Sequence, residues 1–225
     1  MKAEKLDPQR YWEAKIQNWD ANRHGGNESA LSWIDRVTQQ PMEAIKFRYE
    51  VALDHLSRHA KGKRVVELGC GIGRLSQPII EAGAASYHGI DIAANAIEQA
   101  TTENNLDHVT YEHADISNLK AIEADIVLSI GFLSWLNIDQ VDHIFTISGP
   151  ADFVHTITER KLSARHFLKW CKQITTGGHK YKVNYMKTNM IEGMARKNGH
   201  NTLHVYKNPK LYANIFVSSL PFNKD

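Results

Sequence analysis

The chain has 225 residues, 42% of them hydrophobic and 23% charged, with a formal net charge of +2, which fits one globular α/β domain with enough chain for a buried core. No run approaches the roughly 18 consecutive apolar residues of a membrane span, and MKAEKLDPQRYWEAK has no apolar centre of a signal peptide, so a cytoplasmic protein is expected. Two cysteines, Cys70 and Cys171, support neither a disulfide framework nor a zinc site, and both read as reduced, packed thiols.

In chain order, Tyr11/Trp12, Ile16 and Trp19 recur at helical spacing over 8–23, and Gly25-Gly26 stops the pattern. A second helix spans Pro41 to His59 and ends at Gly62. Arg64 to Leu68 reads as a short buried strand, and Leu75 to Ala82 as a helix closed by Gly83, with Pro78 distorting its first turns. Ser86 to Ile92 is the next strand, Asn95 to Asn104 a helix, Val109 to Glu112 a strand, and Ala124 to Leu133 a longer buried strand. Asp139 to Phe145 is helical, Gly149-Pro150 a turn and Asp152 to Thr158 a strand. Ser163 to Ile174 reads as an amphipathic helix capped by Ser163, with Phe167, Cys171 and Ile174 on one side, and Thr175 to Lys187 as a basic loop. Asn189 to Asn198 is a last helix, and strands Thr202 to Tyr206 and Asn214 to Ser219 close the chain. Strands alternating with helices mean βαβ units, a mostly parallel sheet and a terminal pair that can run antiparallel. There is no internal repeat.

The small net charge hides a division. Residues 1–159 hold 14 Lys/Arg against 23 Asp/Glu, a balance of −9, whereas 160–210 hold 12 Lys/Arg and one acid, Glu192, a balance of +11. Such a segment either forms an ordinary charged surface or attracts an anionic partner, whether phosphate, carboxylate, nucleic acid or lipid headgroup.

The stretch RVVELGCGIGRL, Arg64 to Leu75, places Gly69, Gly71 and Gly73 directly after a strand and before a helix. Glycines there allow a tight turn and let a ligand lie against the backbone, with helix N–H groups facing it. A dinucleotide fingerprint needs its third glycine at position 74, which is Arg74. Glu67 is also an unusual occupant for the end of a buried strand unless a cationic or hydrogen-bonding group meets it.

This stretch resembles motif I of the class I S-adenosylmethionine-dependent methyltransferases. Three further motifs follow in order between Lys63 and Leu136: Asp91 in HGIDIA where the family binds the ribose hydroxyls, Asp115 in HADISNL where it binds the adenine amino group, and LSIGFLSWL beside the methionine part. The resemblance implies a Rossmann-like methyltransferase fold, a seven-stranded mostly parallel sheet with an antiparallel C-terminal strand and helices on both faces. It also implies S-adenosyl-L-methionine as cofactor and S-adenosyl-L-homocysteine as product. The division it implies is one domain over 1–225: an N-terminal helical lid (1–60), a cofactor-binding half (61–159), a basic insertion that caps the substrate (160–187), and a closing helix and strand pair (188–225).

On that resemblance Glu67, Gly69, Cys70, Gly71 and Gly73 form the glycine turn, with Gly69 and Gly71 approaching the amino-acid moiety. Asp91 holds the ribose, Ile92 packs on the ring face, Asp115 and Ile116 frame adenine, and Ser129 and Gly131 lie beside the methionine. Tyr11, Trp19 and Arg48 are lid candidates, Arg48 toward the cofactor's carboxylate. Phe132, Lys180, Tyr181, Lys182 and Tyr185 are substrate candidates, because GGHKYKVNYMK alternates cations with aromatics, a pattern that also suits an exposed strand or a single-stranded nucleic acid groove. Methyl transfer is an in-line displacement that depends mainly on placement, so a catalytic base is optional. Of the 12 histidines, His24, His143 and His155 offer themselves as a base, and none lies in a motif that singles it out.

The absence of an Asn/Asp-Pro-Pro-aromatic turn at Ser129 to Phe132, and of a Pro-Cys pair, disfavours a nucleic-acid substrate, and no metal-ligand pattern is present. The leading expectation is a methyltransferase acting on an oxygen or nitrogen of a small anionic metabolite. An RNA or protein methyltransferase docking through the basic segment, and a non-catalytic cofactor-binding protein, stay open. Acceptor identity, pathway and oligomeric state are not legible.

Overall fold

The computed structural model describes residues 7–13, 42–159 and 183–223. Residues 8–13 are helical. The elements that follow are α1 (Met42–His59), β1 (Arg64–Leu68), α2 (Ser76–Glu81), β2 (Ser86–Asp91), α3 (Ala94–Glu103), β3 (Val109–His113), β4 (Ile126–Ser129), α4 (Ile138–Ser148), β5 (Asp152–Thr158), α5 (Thr188–Lys197), β6 (His204–Tyr206) and β7 (Asn214–Ser218).

The seven strands form one sheet in the order β3-β2-β1-β4-β5-β7-β6. The first five run parallel, and β7 runs antiparallel to both β5 and β6. The expected mostly parallel sheet with an antiparallel C-terminal strand is therefore present. Central strands covered on both faces need apolar residues at successive positions, as VVEL and IVLS supply. Their alternation sorts the core into two layers. Val65, Ile126, Leu128, Val154 and Phe216 pack with α1 and α2 through Ala52, Leu56 and Ile79. Val66, Leu68, Val127, Phe153 and Ile157 pack with α4 and α5 through Ile144, Phe145 and Ile191.

Most expected elements stand within a residue or two of their places, and two differ more. The strand expected over Ala124 to Leu133 is only Ile126–Ser129. Gly131 takes φ +78, which a strand does not accommodate, and Leu133–Trp135 form a 3-10 turn. Ile130 and Leu133 are still buried, so the apolar run reports continuous burial and not continuous strand. The α4 helix outruns the expected Asp139 to Phe145 at both ends: Asn137 and Gln140 form a reciprocal capping box at its start, and it continues to Ser148, where Gly149 at φ +56 ends it. The remainder of the 8–23 helix and the Ser163 to Ile174 helix lie outside the described residues.

Candidate functional site

A cleft of about 680 Å³, its open mouth included, lies beyond the C-terminal ends of β1, β2 and β3, next to the turn after β4. In an open parallel sheet this edge, where strand order reverses between β1 and β4, is where ligands bind. Gly69, Asp91, Ile92, Asp115, Ile116 and Phe132 line it, six of the residues singled out from the sequence.

The glycine turn is tied to β2 from both sides. Gly69 and Cys70 N–H groups donate to the Ile90 carbonyl at 2.8 and 3.2 Å. The Asp91 carboxylate then accepts from Gly71 N–H on Oδ2 at 2.8 Å and from Ala93 N–H on Oδ1 at 2.9 Å. An ionised carboxylate has about four acceptor positions, so each oxygen keeps capacity for a ligand hydroxyl. Desolvation raises the pKa of Asp91 above its ordinary value, and the N–H groups of Ala93 and Gly71 oppose that rise. Gly71 takes φ +54 with no atom within 4 Å of where a Cβ would stand, so its backbone is bare on that side.

At the other end, Asp115 caps the 3-10 turn Ile116–Asn118 by accepting from Ser117 N–H at 2.8 Å. Gln140, at the start of α4, reaches across to Ser117 Oγ at 3.3 Å and also lines the cleft. The roof comes from the N-terminal helical turn. Pro8 and Trp12 line the cleft, Trp12 meets Trp135 edge-on at 5.1 Å, and Asn95 Nδ2 donates to the Glu13 carbonyl at 3.1 Å. The turn thus bridges the cleft from α3 to the β4 loop. Tyr11 packs on Trp12 at 5.2 Å and is not a lining residue, and burial raises its pKa.

Beneath the glycine turn, Glu67 is buried and accepts the Tyr87 hydroxyl at 2.5 Å. That is the hydrogen-bonding group its place in the strand requires. Burial lifts the Glu67 carboxyl to about 8 against the opposing pull of the Tyr87 bond, with the Asp91 charge adding to the rise. The same burial, with Asp91 and Glu67 nearby, pushes the Cys70 thiol well up, so it stays protonated. A pH dependence follows. From the ordinary value of 4.5 up to about 8 the folded chain keeps a proton that the unfolded chain has released. Stability is therefore full below that window and falls as pH rises through it, by at most about 1.4 kcal/mol per pH unit. Glu67→Gln should flatten the slope in denaturant melts between about pH 5 and about pH 8; equal slopes in both proteins would contradict the buried protonated carboxyl.

Other singled-out residues do not line the cleft. Ser129 is fully buried with Oγ 2.9 Å from His155 Nδ1. Gly131 donates to Thr156 Oγ1 at 2.6 Å, and Arg48, 7% exposed on α1, brings its Nη1 within 2.9 Å of where a Gly131 Cβ would stand. Gly73 lies against the Tyr111 ring. Tyr185 is 42% exposed. Trp19, His24, Lys180, Tyr181 and Lys182 lie outside the described residues. Neither described histidine considered as a base lines the cleft: burial drops His155 to about 3, and His143 Nε2 sits 3.0 Å from the Leu119 carbonyl. No described residues form a group of three or more His, Cys, Asp or Glu able to hold a metal ion.

Trp12 and Gln140 are lining residues that the sequence reading does not identify, and Trp135 and Leu136 line the cleft from the LSIGFLSWL stretch, which it places at the site without singling them out. Helical spacing identifies the Tyr11/Trp12 pair but not which ring faces in. The Asn137-x-x-Gln140 capping signal was present and would have placed the start of α4 at the cleft.

The arrangement offers a carboxylate with spare acceptor positions between a bare glycine turn and an aromatic roof, with a second carboxylate-capped turn further along. It suits an elongated ligand with hydroxyls at its middle and a flat apolar end. Residues 65–147 match the family model described as a methyltransferase domain. Ubiquinone biosynthesis O-methyltransferase of Neisseria meningitidis serogroup C is 37% identical over 76 residues, 32% of this chain and 32% of that protein. Ribosomal RNA large subunit methyltransferase E of Hyphomonas neptunium is 32% identical over 141 residues, 56% of this chain and 58% of that protein. The matched part therefore spans about a third of the first relative and under two thirds of the second. Among solved structures, magnesium protoporphyrin IX methyltransferase of Synechocystis PCC 6803 with bound SAH superposes with a TM-score of 0.64 at 16% identity, covering 93% of this chain and 96% of that one. Motif order, sheet order and these matches agree: residues 65–147 match a methyltransferase domain, in a chain whose sheet order and fold are shared with a solved methyltransferase.

Proposed function

We propose that the chain is an S-adenosylmethionine-dependent methyltransferase acting on an oxygen or nitrogen of a small, anionic acceptor. The observation that supports it best is the convergence of Gly69, Asp91, Asp115 and Ile116 on one cleft roofed by Trp12 and Trp135. On this reading Asp91 accepts the ribose hydroxyls, Asp115 and Ile116 frame the adenine, and Ile92 lies on the ring. Bound there, S-adenosylmethionine would supply an electrophilic methyl on its sulfonium sulfur. The chain's part is placement: Phe132, Trp12 and Trp135 exclude water, and the glycine turn, held by Asp91, fixes the direction from which an acceptor approaches.

No described histidine lines the cleft, which suits an acceptor that arrives as an already anionic oxygen. The O-methyltransferase relative favours oxygen over nitrogen. The basic segment 160–210 is read as the source of affinity for the acceptor's charge. Within its described part, Asn184 and Met186 N–H groups donate to the Ser134 and Thr158 carbonyls at 2.7 and 2.9 Å, beside the cleft wall. Tyr185 stands between them.

The ribosomal RNA methyltransferase relative and the +11 balance favour a second reading, an RNA acceptor. Incubation with labelled S-adenosylmethionine, aromatic hydroxy-acids and, separately, ribosomal RNA distinguishes them. Label in the small acids, with a strongly raised acceptor KM in the charge-reversed Lys180→Glu/Lys182→Glu chain, is the expected result. Label in RNA alone, with binding that falls steeply with salt, would replace the small-molecule reading.

A further inference from the structure

The turn after β4 carries two walls of the cleft, Trp135 and Leu136, and part of what holds it comes from far along the chain. Inside the turn, Trp135 N–H donates to the Phe132 carbonyl at 2.9 Å and Leu136 N–H to the Leu133 carbonyl at 3.1 Å. The carbonyls on either side of Trp135 are both taken by one residue. Asn184 N–H donates to the Ser134 carbonyl at 2.7 Å, and Asn184 Nδ2 donates to the Leu136 carbonyl at 2.7 Å. Asn184 is itself anchored next to the end of β5. Met186 N–H donates to the Thr158 carbonyl at 2.9 Å, Ser134 Oγ lies 2.7 Å from Thr158 Oγ1, and Thr158 Oγ1 donates to Asn214 Oδ1 at 3.1 Å.

We propose that Asn184 is a positioning residue of the cleft: by gripping the carbonyls that flank Trp135 it sets that indole edge-on against Trp12 and fixes the wall on which the S-adenosyl ligand packs. The inference rests on the reading of the cleft as the S-adenosyl site. The residue type follows from the chemistry. The side-chain amide donates to a carbonyl oxygen, whereas an aspartate of the same shape would set lone pairs against it. A 3-10 turn of three residues has few bonds of its own, so the loss of one external bond shifts its orientation.

The test uses the full chain. S-adenosylhomocysteine affinity by calorimetry, ligand-induced tryptophan emission and melting midpoint are measured for the wild type, Asn184→Asp, Asn184→Ala and Trp135→Phe. Both Asn184 variants should bind about tenfold more weakly, the scale of one hydrogen bond in a desolvated wall, with melting midpoints close to the wild type. The emission change on ligand addition should shrink in both, as it should in Trp135→Phe; a purely structural residue would move the midpoint without selectively moving that signal. Affinity and emission change within about twofold of the wild type in both Asn184 variants would overturn the proposal. A folded wild type that binds no S-adenosylhomocysteine would instead overturn the cofactor reading, and this inference with it.

Discussion

Asp91→Ala is expected to weaken S-adenosylhomocysteine binding by at least about a hundredfold, since hydrogen bonds to a charged group contribute roughly 1.5 to 3 kcal/mol each and two ribose hydroxyls would be lost. The effect has a second source in the protein itself. The Asp91 oxygens hold Gly71 N–H at 2.8 Å and Ala93 N–H at 2.9 Å, so the variant also loosens the glycine turn at Gly71 and the start of the α3 segment. Asp91→Asn separates the two contributions. It keeps one acceptor oxygen but turns an amide toward one of those N–H groups, and it should fall between the wild type and the alanine variant. Calorimetric titration of the three proteins, each with its melting midpoint, gives the order; equal affinity in wild type and Asp91→Ala would remove Asp91 from the site.

Gly69→Ala is the second change expected to have a large effect, now on folding as well as on the cleft. Gly69 takes φ +72, and a Cβ there would stand 2.6 Å from Phe132 Cδ2, 2.7 Å from Cγ and 2.9 Å from Cβ. Left-handed backbone costs an L-residue about 1 to 2 kcal/mol, and overpacking adds about 1 to 3 kcal/mol, so a loss of roughly 2 to 5 kcal/mol is expected. Phe132 cannot yield without consequence. It lines the cleft, and its carbonyl accepts Trp135 N–H, so its displacement carries the wall with it. Gly71→Ala is the matched comparison: φ is +54 but no atom lies within 4 Å, so only the backbone cost of about 1 to 2 kcal/mol applies. Chemical denaturation of both variants should rank Gly69→Ala as the less stable by a clear margin. The reverse order would contradict the close packing of Phe132 on the glycine turn.

The legibility of this chain divides along physical lines. Strands β1 and β5 were readable to the residue because short apolar runs bounded by charge and turn residues coincide with buried strands. The apolar run of β4 reads longer than the strand because burial continues through Ile130 and Leu133 after the strand has ended, and hydrophobicity reports the first property and not the second. The residues of the cleft floor follow the same logic. Gly69, Asp91 and Asp115 occupy strand ends or the turns just after them, where spacing along the chain translates directly into spacing in the sheet. The roof does not. Whether Tyr11 or Trp12 faces inward depends on how a helical turn docks onto Asn95 and Trp135, contacts that join residues more than eighty positions apart. The grip of Asn184 on the β4 turn, 48 residues distant at its side-chain bond, has no local signature at all. Glu67 was legible as an anomaly, but its partner Tyr87 emerges only from the pairing of β1 with β2.

The pKa pattern adds a chemical point. Among the described residues no histidine or cysteine lines the cleft: His155 is buried and neutral, and burial keeps the Cys70 thiol protonated. On the proposed reading, catalysis rests on orientation and exclusion of water, and an acceptor that must ionise before it reacts would set the pH dependence of the reaction.

Calorimetric titration of the full wild-type chain with S-adenosylhomocysteine, with NAD titrated in parallel, tests the central claim most directly. Saturable one-site binding of S-adenosylhomocysteine, with no heat from NAD, is the result expected from Asp91, Asp115 and the aromatic roof meeting at one cleft. Binding of NAD by a folded chain that ignores S-adenosylhomocysteine would contradict it.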